Sequence, residues 1–333
     1  MRELFFLLGF FLFGGCCSLP DDVTWQRFEY VDPEMGVDFH LKFYAKDLAT
    51  AEHIARKTYA RVEDLNAIFS DYNPASELNR LSQNPHGQSV KVSRELFDIL
   101  QRAQTLAHET DGAFDITAGP MIRLWRTARK QQKLPSPIAL ANIKNRVGFK
   151  KIKLNSRNRT VTLLAANMQL DLGGIAKGFA VDEAMKTLKA NCIRRAFVAA
   201  SGDILTSGPP IGQEGWRVLV RNVDQFGNLY PRTVHLRHQA LSTSGDTEQF
   251  VKINGRRYSH IVDPRTGYGL THRTQVTVVS KASAKSDSHA TAISVLGHKA
   301  GLTFAKRKEI QALILGLKSE KPCVTQSLYW RLW

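Results

Sequence analysis

The sequence predicts an α+β fold, built as a single compact domain with a mixed or antiparallel sheet and flanking helices. Runs with the two-residue alternation of strands occur together with segments whose apolar residues recur at helical spacing. The two kinds of segment do not alternate strictly, which argues against a doubly wound parallel sheet. No internal repeat or linker divides the 333 residues, and a hydrophobic share of 43% is typical of a globular protein.

The first half of the chain predicts one strand and two helices. Residues 39–43 alternate as a strand does, and a stripe of apolar and small residues over 51–69 predicts a long helix. The turn-forming residues 70–74 end that helix. Ser93 is a suitable N-cap for a second helix, which stops at the Thr-Asp-Gly sequence over 110–112.

The second half is richer in strands. Pro135 and Pro137 predict a loop, and a last helix is predicted over 286–296. Strands are predicted over 151–154, 161–164, 168–172, 195–199, 217–221, 234–236, 251–253 and 275–279.

The N-terminus predicts an export signal. Arg2 precedes an apolar run over residues 4–13, which is too short to span a bilayer, and two glycines then precede Cys16 and Cys17. This pattern resembles a bacterial lipobox, with Cys16 as the acylated residue; an ordinary cleaved signal is the alternative. We therefore expect a signal peptide over 1–15, a lipidated leader over 16–30 and one domain over 31–333.

Positive charge is concentrated in one segment. The net charge is +16, and no acidic residue occurs between Asp115 and Asp171, where twelve lysines and arginines are found. Such a surface could bind nucleic acid, but export makes nucleic acid an unexpected partner. Anionic lipid headgroups beside a lipid anchor and an ordinary solvated surface remain the two alternatives.

The most informative stretch covers residues 168–182. An alternating run ends at Gly173 and Gly174, which permit a tight turn, and helical spacing follows with Lys177 near the helix start. Asp182 is placed to pair with Lys186 one turn on. Unpaired N–H groups at such a helix start favour a phosphate, whereas the alternative is a tight connection with a solvated lysine.

Four further segments carry polar residues suited to chemistry. Two carboxylates stand beside glycines over 110–120, and Ser-Gly-Asp over 201–203 follows an apolar run. Hydroxyl groups are dense over 241–246. His260, within 258–267, is a group that could transfer a proton near neutral pH.

The last predicted helix carries a pair of oxygen ligands. Asp287 and Thr291 are four residues apart, so both side chains lie on the same helix face. A carboxylate and a hydroxyl suit a hard cation such as Mg²⁺, which also keeps water and substrate phosphate oxygens. His289 falls on another face and is not counted as a ligand.

Taken in this order, these segments resemble the ApbE family of FAD:protein FMN transferases. The resemblance runs from about Met35 to Leu296. It rests on Met35-Gly36, Asp71-Tyr72 before Ser76-Glu77-Leu78, and the segments 111–117, 171–178, 202–203, 242–245, 259–267 and 287–291.

The resemblance implies a Mg²⁺-dependent transfer of FMN from FAD to a threonine or serine of an acceptor protein, with release of AMP. It implies acceptors among sodium-pumping NADH:quinone reductases and Rnf-type complexes, and an inner-membrane lipoprotein facing the periplasm. The metal ligands would be the Ala176 carbonyl, Asp287 and Thr291. The flavin nucleotide would be held by Met35, Tyr72, Ala113, Phe114, Asp115, Gly173, Lys177, His260 and Ile261. We expect His260 and Asp287 to be the catalytic residues, and either His260 or a nearby carboxylate to assist the acceptor hydroxyl.

The chain departs from the family pattern at a few positions. Ser201 stands where glycine is frequent, Thr247 stands where an aromatic residue is common, and Ser288-His289 replaces a more apolar pair. None of these changes removes an expected ligand. An FAD pyrophosphatase and a non-enzymatic FAD-binding lipoprotein are the alternatives, because the same residues could serve them.

Overall fold

The computed structural model describes residues 24–224, 226, 228–245, 250–318, 321–328 and 330. Its centre is an eight-stranded sheet in the order β1-β2-β6-β7-β10-β15-β16-β17, in which all neighbouring pairs are antiparallel. This arrangement confirms the predicted α+β class. The strands are β1 (Gln26–Glu34), β2 (Val37–Ala45), β6 (Ala196–Ala200), β7 (Asp203–Thr206), β10 (Ala240–Gly245), β15 (Thr274–Ser280), β16 (Gln311–Lys318) and β17 (Lys321–Gln326).

Helices cover one face of this sheet. The apolar stripe predicted over 51–69 lies on the first helix, and its members are buried against the sheet and the neighbouring helices. Ser93 caps the third helix through its hydroxyl, as predicted. The helices are α1 (Leu48–Phe69), α2 (Glu77–Gln83), α3 (Arg94–Glu109), α4 (Gly119–Gln131), α5 (Pro137–Lys144), α6 (Ala176–Ala190) and α7 (Ser283–Arg307).

Shorter strands surround the central sheet. The hairpin of β8 (Trp216–Val223) and β9 (Leu229–Leu236) covers the other face, where its alternating apolar residues pack on β10, β15 and β16. The remaining strands form a three-stranded sheet and two hairpins. They are β3 (Ser89–Lys91), β4 (Ile152–Asn155), β5 (Thr160–Leu163), β11 (Phe250–Ile253), β12 (Arg256–Ser259), β13 (Val262–Asp263) and β14 (Tyr268–Gly269).

Three predictions about local structure were wrong. Residues 168–172 are not a strand, because the Asp171 N–H donates to the Ile116 carbonyl of a short 3₁₀ helix rather than to a neighbouring strand. Pro137 does not lie in a loop; it occupies the first turn of α5, where its missing N–H has no cost, and Ser136 caps that helix. The last helix is longer than predicted and kinks at Gly297.

The first strand overlaps the expected leader. Strand β1 begins at Gln26 and pairs along its length with β2, so ordered sheet starts inside the predicted leader. The predicted signal peptide and Cys16 lie outside the described residues. None of the helices in the described part of the chain has the length and apolar composition that crossing a membrane would require.

The sheet registers bring several predicted segments to one end of the molecule. Phe39 of β2 pairs with Ala200 of β6, so the β1–β2 turn lies beyond the end of β6. Asp203 at the start of β7 pairs with Ser242 of β10. Since β10 also ends here and β15 starts here, the described part of the connection between them, residues 250–273, starts and ends at the same end. We call it the active-site end.

Candidate active site

The site is built on a close crossing of α6 and α7. A side chain at Gly178 would place its Cβ 2.5 Å from the Ser283 carbonyl oxygen, so only glycine allows this approach. The crossing places Asp287 beside the first turn of α6, where its Oδ2 accepts the Gly178 N–H at 3.1 Å. The predicted metal pair on α7 and the predicted glycine-rich turn are therefore neighbours.

A second carboxylate fixes the same crossing. Asp182 of α6 accepts the N–H groups of Ser283 at 2.6 Å and Ala284 at 3.0 Å, and so caps α7. The predicted Asp182–Lys186 pair is wrong, because Lys186 instead pairs with Glu183. By capping α7, Asp182 accepts hydrogen bonds from two backbone N–H groups that would otherwise lack a partner. An exposed ion pair with Lys186 would contribute less to stability.

Lys177 lies between charged and polar groups and is only partly exposed. Its Nζ is 3.6 Å from Oδ2 of Asp203 and donates to the Gly173 carbonyl at 3.3 Å. The negative charge of Asp287, followed by that of Asp203, raises the pKa of Lys177. The ammonium is therefore held at the active-site end as a permanent positive charge, and it is not the solvated lysine of the alternative interpretation.

The charge balance of this centre leaves room for a cation. Asp203 and Asp287 are both buried; Lys177 pairs with Asp203, and the charge of Asp287 also acts on Lys177. Burial, with a further contribution from the charge of Asp203, raises the pKa of Asp287 to about 7. Burial likewise raises the pKa of Asp203. Two buried carboxylates beside one lysine favour one more positive charge.

The residues at this point suit Mg²⁺. The described chain has no cluster of three or more His, Cys, Asp or Glu side chains that could hold a metal. A cation here would therefore use the Asp287 carboxylate, the Thr291 hydroxyl and a backbone carbonyl of the turn, such as that of Ala176. This small set of oxygen donors matches Mg²⁺, which takes its remaining ligands from phosphate and water.

The glycine turn joins α7 to the segment after α3. A Cβ at Gly174 would lie 3.2 Å from both the Phe114 ring and Cγ2 of Thr291, so both side chains lie close to the Gly174 backbone. Next to Phe114, Asp115 accepts the N–H of Thr117 at 2.8 Å and its hydroxyl at 2.7 Å. The Phe114 ring therefore lies at the glycine turn, whereas the Asp115 carboxylate is used within its own turn.

Ala113 and Ile261 are brought together by an apolar cluster. Ala113, Leu270 of the connection to β15 and Val295 of α7 are buried together, and Ile261 packs against them. Because His260 directly precedes Ile261 and follows β12, it is carried to the same end of the sheet as the glycine turn. The structure thus brings Ala113 and Ile261 together against α7, with His260 next to Ile261 in the chain.

Tyr72 lies at the rim and is 75% exposed. The Arg126 guanidinium stacks 4.4 Å from the centre of its ring and pairs with Asp71 and, at 3.0 Å, with Asp171. Asp171 also accepts the Gly173 N–H at 2.8 Å. One arginine therefore connects the exposed ring to the glycine turn. Sequence reasoning missed Arg126 because it was one of many basic residues in a charged segment.

A groove of about 700 Å³ lies beside this rim, a volume within the range of ligand pockets. Its lining is largely polar and includes two arginines and several amide side chains. The lining residues include Asp71, Tyr72, Asn79, Gln83, Asn84, His86, Arg123, Arg126, Asn167 and Gln169.

Met35 occupies the tip of the β1–β2 hairpin, together with Gly36. Both residues have positive φ, 51° and 77°, as a two-residue turn between twisted strands requires. Ser201 also has a positive φ, of 56°, in the turn that follows β6. That conformation favours glycine, which gives a backbone reason for the glycine expected at this position.

Other predicted features fall outside this centre or cannot be placed. His289 packs against Phe304 and lines a separate cavity of about 250 Å³ with Lys285, which agrees with its exclusion from the metal ligands. Burial lowers the pKa of His289 to about 4. Thr247 lies outside the described residues.

Comparison with known proteins identifies the family. The profile of the ApbE family matches residues 35–314. The FAD:protein FMN transferase of Haemophilus influenzae is 30% identical over 302 residues, which cover 88% of this chain and 87% of that protein. The protein of the same name from Treponema pallidum is 31% identical over 301 residues, covering 86% and 82%.

Solved structures agree with the sequence relatives. The flavin transferase ApbE from Vibrio cholerae superposes with a TM-score of 0.85 at 26% identity, over 92% of this chain and 99% of that one. The apo form of the Pseudomonas stutzeri flavinyl transferase ApbE gives a TM-score of 0.83 at 25% identity, over 92% and 96%.

Proposed function

The chain belongs to the ApbE family, and we propose that it transfers FMN from FAD to a serine or threonine hydroxyl of an acceptor protein. In this reaction the acceptor oxygen attacks the FMN phosphorus, the bond to the bridging oxygen breaks, and AMP leaves. The observation that carries the proposal is the charge balance at the crossing of α6 and α7. Two buried carboxylates and one lysine beside a glycine turn form a centre that suits a cation and a pyrophosphate.

The residues of the chain would divide the work between charge and orientation. Lys177 would neutralise a phosphate oxygen, and the turn at Gly173 and Gly174 lets the nucleotide approach the backbone closely. Mg²⁺, held by the Ala176 carbonyl, Asp287 and Thr291, would supply positive charge to the phosphate oxygens.

Two side chains would act at the ends of the substrate. His260 would accept the proton of the attacking hydroxyl, a task for which imidazole is suited near neutral pH. Tyr72, backed by Arg126, would offer a ring for stacking at the rim. Phe114, Met35 and Ile261 would complete the apolar surface around the flavin nucleotide.

The acceptors and the location follow from the family resemblance and from the N-terminal sequence. We propose acceptors of the Rnf or sodium-pumping NADH:quinone reductase type. We also propose an inner-membrane lipoprotein that is anchored through Cys16 and faces the periplasm. Replacement of Cys16 by serine should release the protein from the membrane fraction, whereas lipid modification retained at Cys17 would contradict the assignment to Cys16.

The function is tested by mass. The full-length chain in mild detergent would be mixed with FAD and a candidate acceptor domain, with Mg²⁺ or with EDTA, and the acceptor mass and AMP would be followed. We expect an acceptor heavier by one FMN and one AMP released per adduct, only with Mg²⁺. AMP and free FMN without an adduct on any acceptor would instead indicate a pyrophosphatase, with water as the nucleophile. Intact bound FAD would indicate a binding protein.

A further inference from the structure

Two distant segments form one structural unit at the active-site end. Residues 119–147, which contain α4 and α5, pack against residues 250–273, which contain the hairpins β11–β12 and β13–β14. The Trp125 indole donates to the Gly267 carbonyl at 2.7 Å and so ties the two segments together. We call this unit the cap. It has its own apolar core, made of Met121, Trp125, Ala128, Val147, Val251, Ile253, Tyr258 and Val262.

The cap carries most of the excess charge of the protein. Its two segments contain twelve lysines and arginines and one carboxylate, Asp263, which already pairs with Arg265. This is an excess of eleven positive charges, out of sixteen for the whole chain. Several of these residues are exposed, among them Lys130, Lys133, Lys144, Lys252 and Arg256.

The charged surface also exposes large apolar side chains. Phe250 of β11 is 41% exposed, and the Arg257 guanidinium stacks over its ring at 4.0 Å. Tyr268 of β14 and Ile138 of α5 are exposed as well. Aromatic residues with arginine are enriched where proteins bind proteins, whereas lysines at the edge attract the partner.

The position of the cap separates it from the N-terminus. The N-terminal residue of β1, Gln26, pairs with Ala45, the last residue of β2, and is therefore at the opposite end of the sheet from the active-site end. An anchor attached before β1 would bring the opposite end to the membrane. His260 lies within the cap, so a partner bound there would be next to the chemical centre.

We propose that the cap is the docking surface for the acceptor protein, and that the acceptor presents carboxylates around the hydroxyl that receives FMN. This inference rests on the proposed function and adds a recognition rule to it. An acidic surface would be attracted by the exposed lysines, and contacts with Phe250 and Tyr268 would then hold the acceptor hydroxyl near His260.

A charge reversal on each segment tests the docking surface. The full-length Lys133→Glu/Lys252→Glu variant would be compared with Lys189→Glu/Lys306→Glu, in which two exposed lysines at the opposite end of the sheet are changed. We expect the cap variant to raise the KM for the acceptor about tenfold, with kcat at saturating acceptor and FAD affinity unchanged. The control should keep the wild-type KM, and added salt should raise the KM of the wild type more than that of the cap variant.

The outcomes separate this inference from the function on which it rests. If wild type transfers FMN and the cap variant has an unchanged KM, the docking surface is wrong and the transferase stands. If wild type transfers FMN to no acceptor, the function fails and the inference fails with it. Flotation with phosphatidylglycerol vesicles gives a third outcome, since loss of vesicle binding by the cap variant with an unchanged KM would make the cap a membrane surface instead.

Discussion

The crossing of α6 and α7 and the rim at Tyr72 are held in opposite ways. At the crossing, Gly178 allows backbone contact, and Asp287 is buried against a backbone N–H. At the rim, Tyr72 is exposed and is supported from behind by the arginine–carboxylate contacts of Arg126.

The difference indicates that the two regions have different tasks: the crossing fixes charged groups, and the rim binds the nucleotide. Charged groups that act on a phosphate must be fixed before the substrate arrives, and close backbone packing does this without relying on mobile side chains. A rim that admits a large nucleotide can instead be held by ion pairs, which contribute less and rearrange more readily. Changes at the crossing should therefore remove the reaction, whereas changes at the rim should weaken binding.

The largest effect is expected for Asp287→Asn. Loss of the carboxylate should lower kcat for FMN transfer by at least about a thousandfold, because it removes both the proposed metal ligand and a charge that acts on Lys177. The fold should persist, since asparagine can still accept the Gly178 N–H. Transfer at the wild-type rate by a folded variant would show that the chemistry lies elsewhere.

The same variant has a predicted effect on stability. The pKa of Asp287 is raised to about 7 in the folded protein. Between about pH 4 and pH 7 this carboxyl group is largely ionised only in the unfolded chain, so the folded protein loses stability as the pH rises through this range. Above pH 7 the metal-free folded protein still bears the free-energy cost of holding the buried Asp287 carboxylate ionised. Asparagine removes it, so metal-free Asp287→Asn should be more stable than wild type at pH 8, by on the order of 2 kcal/mol. Thermal denaturation of both proteins in EDTA measures the difference.

The second effect concerns Gly178→Ala. Alanine would gain about 1 kcal/mol of helix propensity, but its Cβ would meet the Ser283 carbonyl at 2.5 Å and Cβ of Asp287 at 2.8 Å. The helices must separate, so we expect a net loss of about 2 kcal/mol in unfolding free energy together with reduced transfer. Lys189→Ala, at the exposed end of the same helix, is the matched control. An unchanged melting temperature for Gly178→Ala would mean that the crossing is not tight.

The smallest effect is expected at Arg126. Alanine there should raise the KM for FAD about fivefold and leave kcat nearly unchanged, because the Tyr72 ring loses its support while the crossing stays intact. Lysine keeps the positive charge but not the planar group, so it should rescue only part of the loss. Steady-state kinetics with varied FAD separates kcat from KM. A large fall in kcat for Arg126→Ala would contradict the conclusion that the rim serves binding and only the crossing serves the reaction.

Local periodicity predicted the elements of this fold that carry long amphipathic patterns. The stripe of α1, the Ser93 cap of α3 and the shared face of Asp287 and Thr291 follow from spacing within one element. The ordered set of motifs also indicated the family. These features depend only on residues that are close together in the chain, which is why a single sequence carries them.

Features that depend on distant partners could not be predicted in this way. The alternation over 168–172 does not continue as a burial pattern, because Asp171 is buried as Leu170 and Leu172 are, and no described strand lies beside this stretch. Asp182 and Lys186 have the spacing of a helix pair, yet α7 offers Asp182 two unpaired N–H groups. The pairing of Lys177 with Asp203 and the stacking of Arg126 on Tyr72 likewise join residues far apart in sequence.

The most direct test of the cation centre is a calorimetric titration of the EDTA-treated full-length chain with Mg²⁺ at pH 6 and pH 8. Because Mg²⁺ needs the ionised carboxylate and the pKa of Asp287 is about 7, we predict one site that binds about tenfold more weakly at pH 6. The site should be absent from Asp287→Asn. Equal affinity at both pH values, or wild-type binding by Asp287→Asn, would contradict a cation centre at the crossing of α6 and α7.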